Sequence, residues 1–329
     1  MYKFLRVIIL IFLSVASLNA EFNLKISLEN WAVNYEYLGI SQRKGETFFG
    51  DIIRGRFGYK VFGNSWLYGG ILLKKDYNGE GLDKVYPLIS FHFRPNEKTE
   101  LIFGSINIRH DFHPAMYDPI KYFVKPYSDG IQFLYNSEKI KIDTFIDWEL
   151  YDTIEHPENF SISTLVGINL GKLLFNFQTR WNHHGGQLYP HEGINVIHDL
   201  SFGGGVNLKI LKGKVINLDL SSESFFSLYS SDVNKSLDNN GHGISNKIIF
   251  DISKWILFYE YWKGKNFFNE EGDPMYRANN MHRFSVAKEF KLYKDYVSIR
   301  IEFNGRYVDK FCHDEKIILD VAVDKFFKK

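Results

Sequence analysis

The chain has 329 residues but a single cysteine, Cys312, so no intrachain disulfide can hold it together outside the cytosol. Proline is scarce, with eight in all, and neither sign of charge dominates: 40 Lys and Arg face 39 Asp and Glu. That balance creates no field to gather nucleic acid, and no basic run suggests otherwise, so nucleic acid is excluded as a partner. Long apolar runs are also missing. Val7 to Val15 is the only one, about half the roughly 20 residues a membrane helix needs. It follows Lys3 and Arg6 and leads into small residues up to Ala20, which is the layout of a secretory signal. Residues 1–20 are therefore expected to be a leader and residues 21–329 one domain.

Aromatic residues are abundant, at 17% of the chain, and there are 26 glycines, as strand-rich walls with tight turns require. From Glu21 onward apolar and polar residues alternate at period two over segments of about ten residues. Val297, Ile299, Ile301, Phe303 and Tyr307 share one face, and Ser298, Arg300, Glu302, Asn304 and Arg306 the other. Ile140, Ile142, Ile146, Trp148 and Leu150 repeat the pattern opposite Lys141, Asp143, Asp147 and Glu149. Two stretches depart from it. Apolar parity switches near Glu29 to Trp31, which predicts a bulge or a strand leaving the membrane, and Lys254 to Trp262 is apolar on both faces, which suits a wall packed by a plug.

Alternation alone also fits a soluble sandwich, but connection lengths separate the two. Short breaks near 62–66, 94–99, 136–139, 171–172, 212–214, 253–254 and 293–295 alternate with longer polar ones at 35–47, 76–83, 110–128, 152–159, 185–197, 230–243, 265–280 and 308–314. An up-and-down barrel in the outer membrane has this asymmetry, with short periplasmic turns and long extracellular loops. The predicted fold is all-β: an antiparallel transmembrane barrel of about 16 strands, within about 12–18, with both termini periplasmic. The last segment, Ile317 to Phe327, puts Ile317, Leu319, Val321, Val323 and Phe327 on one face. It resembles the closing strand of bacterial outer-membrane β-barrel proteins of the porin-like kind, although two lysines follow Phe327. The resemblance implies a place in the outer membrane among its lipid, delivery by the barrel-assembly machinery, passage of small polar solutes, and room for a homo-oligomer.

On that architecture Arg54, Arg56, Arg109, Arg180 and Arg300 point into the lumen, facing Asp143, Asp147, Glu149, Asp219, Glu223 and Glu302. Mixed signs favour ion pairs along the wall or a transverse field on polar solutes, not a strongly ion-selective pore. The longest loop, 110–128, is rich in proline and aromatics, and folding inward would bury them and place Tyr117 and Tyr122 at a constriction. All eleven histidines except His92 fall toward the long-loop end. His110, His113, His183 and His184 are weak candidates for a transition metal, since no spacing fixes their geometry, and no cofactor is expected. No GxSxG occurs, and Ser201 and His198, three apart on one strand, point to opposite faces. The leading expectation is a channel for small polar solutes and not an enzyme. The alternatives are a plugged barrel that binds through its loops, and a hydrolase at the outer rim.

Overall fold

The computed structural model describes residues 21–327 apart from 78, 80, 187–195, 214, 233–236 and 294–295. Sixteen strands close on themselves in sequence order: β1 (Phe22–Glu36), β2 (Glu46–Phe62), β3 (Ser65–Asp76), β4 (Lys84–Asn96), β5 (Thr99–Ser105), β6 (Asp129–Asn136), β7 (Ile140–Leu150), β8 (Glu158–Leu170), β9 (Leu173–Gly185), β10 (Ile197–Lys212), β11 (Ile216–Ser230), β12 (Asn239–Ile252), β13 (Trp255–Lys265), β14 (Asn280–Leu292), β15 (Val297–Tyr307) and β16 (Phe311–Phe327). Every neighbouring pair is antiparallel, and β1 closes on β16 from Phe22 opposite Phe327 to Glu36 opposite His313. Closure leaves no sheet edge along most of the wall, which is what a strand structure in lipid requires. The short and long connections fall where the sequence places them except the last, where β16 begins at Phe311 and only 308–310 remain in place of the longer loop expected over 308–314; the long ones all lie at one end.

Outward residues such as Ile26, Ile53, Ile71, Phe177, Ile244, Ile248, Phe284 and Ile301 stay exposed and form an apolar belt. In water such a surface would aggregate, whereas in a bilayer it is the solvated face. The β1 strand is 15 residues long, about 50 Å at 3.4 Å per residue, so its long-loop end rises beyond an apolar band of about 25 Å. Asn30, Asn34 and Thr47 make their polar contacts there.

The lumen is not empty. Residues 106–128, which include a short helix α1 (Lys121–Val124), and residues 266–279, with a 3-10 turn at Pro274–Arg277, fold inward and pack together as a plug. The first segment reaches from wall to wall. Phe123 stacks on Trp31 of β1 at 4.8 Å, the Lys125 ammonium approaches Asp147 of β7, and the His113 amide donates to Gln178 of β9. The two segments interlock through Asp118 N–H to Glu271 O at 2.8 Å and Asp273 N–H to Pro114 O at 2.8 Å.

This plug explains both departures from clean alternation. The predicted bulge near Glu29 is absent, because β1 pairs in unbroken register with both neighbours. What changes is its inward face, from Asn23, Lys25 and Glu29 to Trp31, Val33 and Tyr35, which are buried against the plug. Trp262 of β13 packs inward in the same way on Phe267 and Tyr276.

Candidate functional site

Buried charges lock the plug to the wall. Asp273 lies 3.0 Å from Arg306 and 3.5 Å from Arg43, and Arg43 also reaches Asp118 at 2.8 Å. Burial opposes ionisation of Asp273, but the two guanidinium groups overcome it and hold the carboxyl below its usual range. Glu271 is likewise buried, yet Arg180 and Lys121 keep its pKa at about 2. Arg180 is fully buried, bonded to Ser161, Ser163 and Asn182, with Tyr117 against its guanidinium at 5.0 Å. Both predicted constriction tyrosines are in the plug, since Tyr122 bonds the backbone of His110 through its hydroxyl.

Arg54, Arg56, Arg109 and Asp143 come together around a cavity of about 750 Å³ between the plug and the short-turn end, with Lys25, Glu29, Lys141, Asp320 and Asp324. Glu29 pairs with Arg54 and with Arg109, the latter at 2.7 Å. Asp147 and Glu149 instead anchor Lys125 of the plug. Glu223 accepts from Gln178, and Arg300 pairs with Glu302 along one strand at 2.7 Å, both away from that cavity. Asp219 faces the lumen on β11 without lining the cavity.

Where the plug meets the wall, His113 of the plug, Ser245 of β12 and Glu260 of β13 have the composition of a nucleophilic triad without its wiring. The ring Nδ1 of His113 accepts the Ala115 amide at 3.1 Å, so the ring proton is on Nε2, which donates to Glu260 at 3.1 Å. Ser245 gives its own proton to Glu260 at 2.6 Å. No lone pair remains to receive a serine proton, and burial lowers the His113 pKa further. This cluster fastens the plug. The His110 ring is similarly occupied, bonded to Asp143 at 2.7 Å and stacked on Phe145, and His184 is held by Glu270 at 2.6 Å. Among the described residues no three metal-ligating side chains converge. His191 lies outside the described residues.

A different arrangement occupies the outer face at the long-loop end. Strand parity turns Glu158 and Phe160 of β8, Trp181 and His183 of β9, His198 of β10 and Ser230 of β11 outward, toward lipid. Register makes them neighbours: His198 is directly opposite His183 on one side and Ser230 on the other, and His183 is opposite Phe160. The His183 and His198 rings are 5.0 Å apart with their Nδ1 atoms at 3.5 Å, and Glu158 approaches His183 Nε2 at 3.9 Å. Trp181 stacks on His198 and donates its indole N–H to that ring at 3.1 Å, while Phe160 lies 4.8 Å from His183. Ser230 donates to the Asp232 carbonyl at 2.9 Å. Sequence reasoning singled out His183 but missed Ser230 as the partner of His198. The adjacent Ser201 faces the lumen as expected, and the only usable signal for Ser230 is cross-strand register.

The family model for lipid A 3'-O-deacylase-type proteins matches residues 15–317. The chain belongs to that family. Its membership overturns the expectation of a non-enzyme, which rested on the absence of a contiguous catalytic motif. A site assembled across barrel strands leaves no such motif, because its members are one cross-strand neighbour apart and tens of residues apart in sequence. Curated proteins offer no match to the chain. Solved structures share its fold: the loop L8 deletion mutant of OmpT, an outer membrane protein of Vibrio cholerae, covers 93% of this chain and all of its own at 10% identity and a TM-score of 0.58. The trimer form of in-vitro folded OmpT has 9% identity, a TM-score of 0.55, and coverage of 92% of this deacylase-type chain and 99% of its own. OccK1 (OpdK) of Pseudomonas aeruginosa has 9% identity, a TM-score of 0.52 and the same coverage. Fold and family together make this an outer-membrane barrel of the deacylase type.

Proposed function

We propose that this protein is an outer-membrane ester hydrolase that removes an acyl chain from lipid A-like lipid, working at the lipid-facing row Glu158, His183, His198 and Ser230. The observation that carries the reading is the position of that row. It is at the end where the apolar belt meets the long loops, on the side that touches lipid, and framed by Trp181 and Phe160. On this reading residues 1–20 are a leader, the long loops are extracellular and both ends of the chain periplasmic, so the row sits at the headgroup level of the outer leaflet.

Ester hydrolysis needs a nucleophile, a base to take its proton, and a donor for the oxyanion. The row and its flanking Trp181 contain each kind. Ser230 supplies a hydroxyl, and the base is His198 directly opposite it. Once the Trp181 indole N–H leaves Nδ1, that nitrogen carries the ring proton toward His183, which Glu158 backs, and Nε2 is free to take the serine proton. The released indole N–H is a donor for the oxyanion. Through His183 the carboxylate stabilises the imidazolium that forms. Catalytic contacts that are loose without substrate tighten when it is bound.

The test is fatty-acid release from lipid A vesicles by the refolded protein and by Ser230→Ala, His198→Ala, His183→Asn and Glu158→Gln. Losses of about 10²-fold or more are expected for the histidine and serine variants. Full activity in all four would sink the assignment of the row, and no release by the wild type would sink the hydrolase reading. A second reading, passage of small polar solutes, rests on the charge-lined cavity of about 750 Å³ and requires the plug to move.

A further inference from the structure

The wall has a gap. Strands β5 and β6 are only seven and eight residues long, against 11 to 17 for the others. They stop where the chain turns inward after Ser105 to form the plug and returns at Asp129. Pairing between β4 and β5 therefore ends at Ser90 opposite Gly104, and pairing between β6 and β7 at Gly130 opposite Asp147. Residues 84–89 of β4 and 148–150 of β7 face each other across an interval with no strand between them. A groove of about 560 Å³ occupies it, lined by Pro87, Ile89, Ser105, Tyr127, Ile131 and Trp148 among others.

The β4 edge of the gap is chemically finished at Pro87 and Ile89. An unpaired strand edge in a membrane exposes N–H groups that lipid cannot satisfy. The Ile89 N–H points to the β5 side, because the Ser105 hydroxyl accepts it at 3.1 Å. By period two Pro87 has the same orientation, and proline has no N–H. Behind the gap Tyr127 stacks on Tyr86, with ring centroids 4.6 Å apart and planes at 12°. Tyr127 also bonds Asp129. It lines both this groove and the lumen cavity, so one side chain separates them.

We propose that the gap between β4 and β7 is a lateral port that takes one acyl chain from the surrounding leaflet, with Tyr127 as its inner stop. The occupant follows from the surroundings: the mouth is framed by exposed Val85, Ile89, Phe103 and Ile131, so what lies against it in place is hydrocarbon. The groove is within the about 300–1,000 Å³ of small-ligand sites. Its lining is mainly apolar, and the buried Trp148 indole N–H has no partner among the described residues to compete with a ligand's polar end. The port does not depend on the hydrolase reading.

The experiment places the full barrel in phosphatidylcholine nanodiscs containing a small fraction of phosphatidylcholine with a diazirine at the end of one acyl chain, and maps the cross-links by peptide sequencing. The expected result is label on Tyr127 and Ser105, behind the wall, as well as on the open outer face at Ile244 and Ile248. Ile89→Trp with Ile131→Trp, which narrows the mouth from outside, is expected to abolish label at Tyr127 while leaving Ile244 and Ile248 labelled. Tyr127→Ala is expected to extend it inward to Leu88 and Ile106. Label confined to the outer face in the wild type, or label at Tyr127 unchanged by the tryptophans in a barrel whose gel mobility is still heat-modifiable, would overturn the port.

Discussion

Replacing Asp273 with alanine should open the plug and spare the barrel. The carboxylate is buried, lies 3.0 Å from Arg306 and 3.5 Å from Arg43, and accepts the Met275 amide at 3.1 Å. Breaking a buried ion pair by removing one partner costs about 3–5 kcal/mol, because the other charge is left uncompensated. Here each arginine retains a second carboxylate, Asp314 at 3.6 Å from Arg306 and Asp118 at 2.8 Å from Arg43. The lower end, about 3 kcal/mol, is therefore appropriate, a shift of roughly 10²-fold in the ratio of closed to open plug. That cost falls on residues 266–279, whose contacts with the wall are side-chain bonds, whereas the wall is held by sixteen backbone ladders. Single-channel recording in planar bilayers reads the result directly. The wild type should be closed nearly all the time, and Asp273→Ala open far more often, with unchanged heat-modifiable mobility. Asp273→Asn, which keeps the acceptor for Met275, isolates the charge. A wild type that conducts continuously, or equal open times in all three proteins, would refute the plug as the element that closes the lumen.

Acidification should loosen the plug in two windows, followed by protease nicking within residues 106–128. His113 has a lowered pKa, so stability falls as pH drops below the ordinary histidine value near 6.5, where the released plug takes a proton that the docked plug does not. Glu271, held at about 2, adds a second loss between its ordinary value near 4.5 and about 2, to which Asp273, also held below its usual range, contributes; Glu271→Gln should shrink that lower window and leave the upper one unchanged. Phe123→Ala deletes the ring stacked on Trp31 at 4.8 Å and should destabilise the docked plug by about 3–5 kcal/mol, read as the same gain in open time. Gly130→Ala would place a Cβ 1.8 Å from the Ile146 carbonyl, so the β6 to β7 ladder must part there, seen as faster amide exchange at Gly130 to Gln132 than in the wild type.

Much of this was legible in the residues because a strand's period is two and a barrel's connections alternate. The parity of Ile140 to Leu150 assigns those side chains to the correct faces, and the exchange of short and long breaks implies sixteen strands. The inward fold of residues 106–128 could be anticipated, since so many aromatics and prolines on a solvent-facing loop would have had to stay wet. Trp31, Val33 and Tyr35 misled for a related reason: they are apolar on the inward face, which a water-filled lumen would not allow and a plugged one requires.

What the sequence by itself determined is the local part, namely which residues are strands, which face each side chain takes and which end carries the histidines, because these depend on neighbours one or two positions away. Only the tertiary structure decided that Ser230 stands opposite His198, that Asp273 meets Arg306 and Arg43, and that the wall is open between β4 and β7. Those facts depend on register summed over every turn and on a plug whose contacts join distant parts of the chain, such as His113 and Glu260, so no local pattern can encode them.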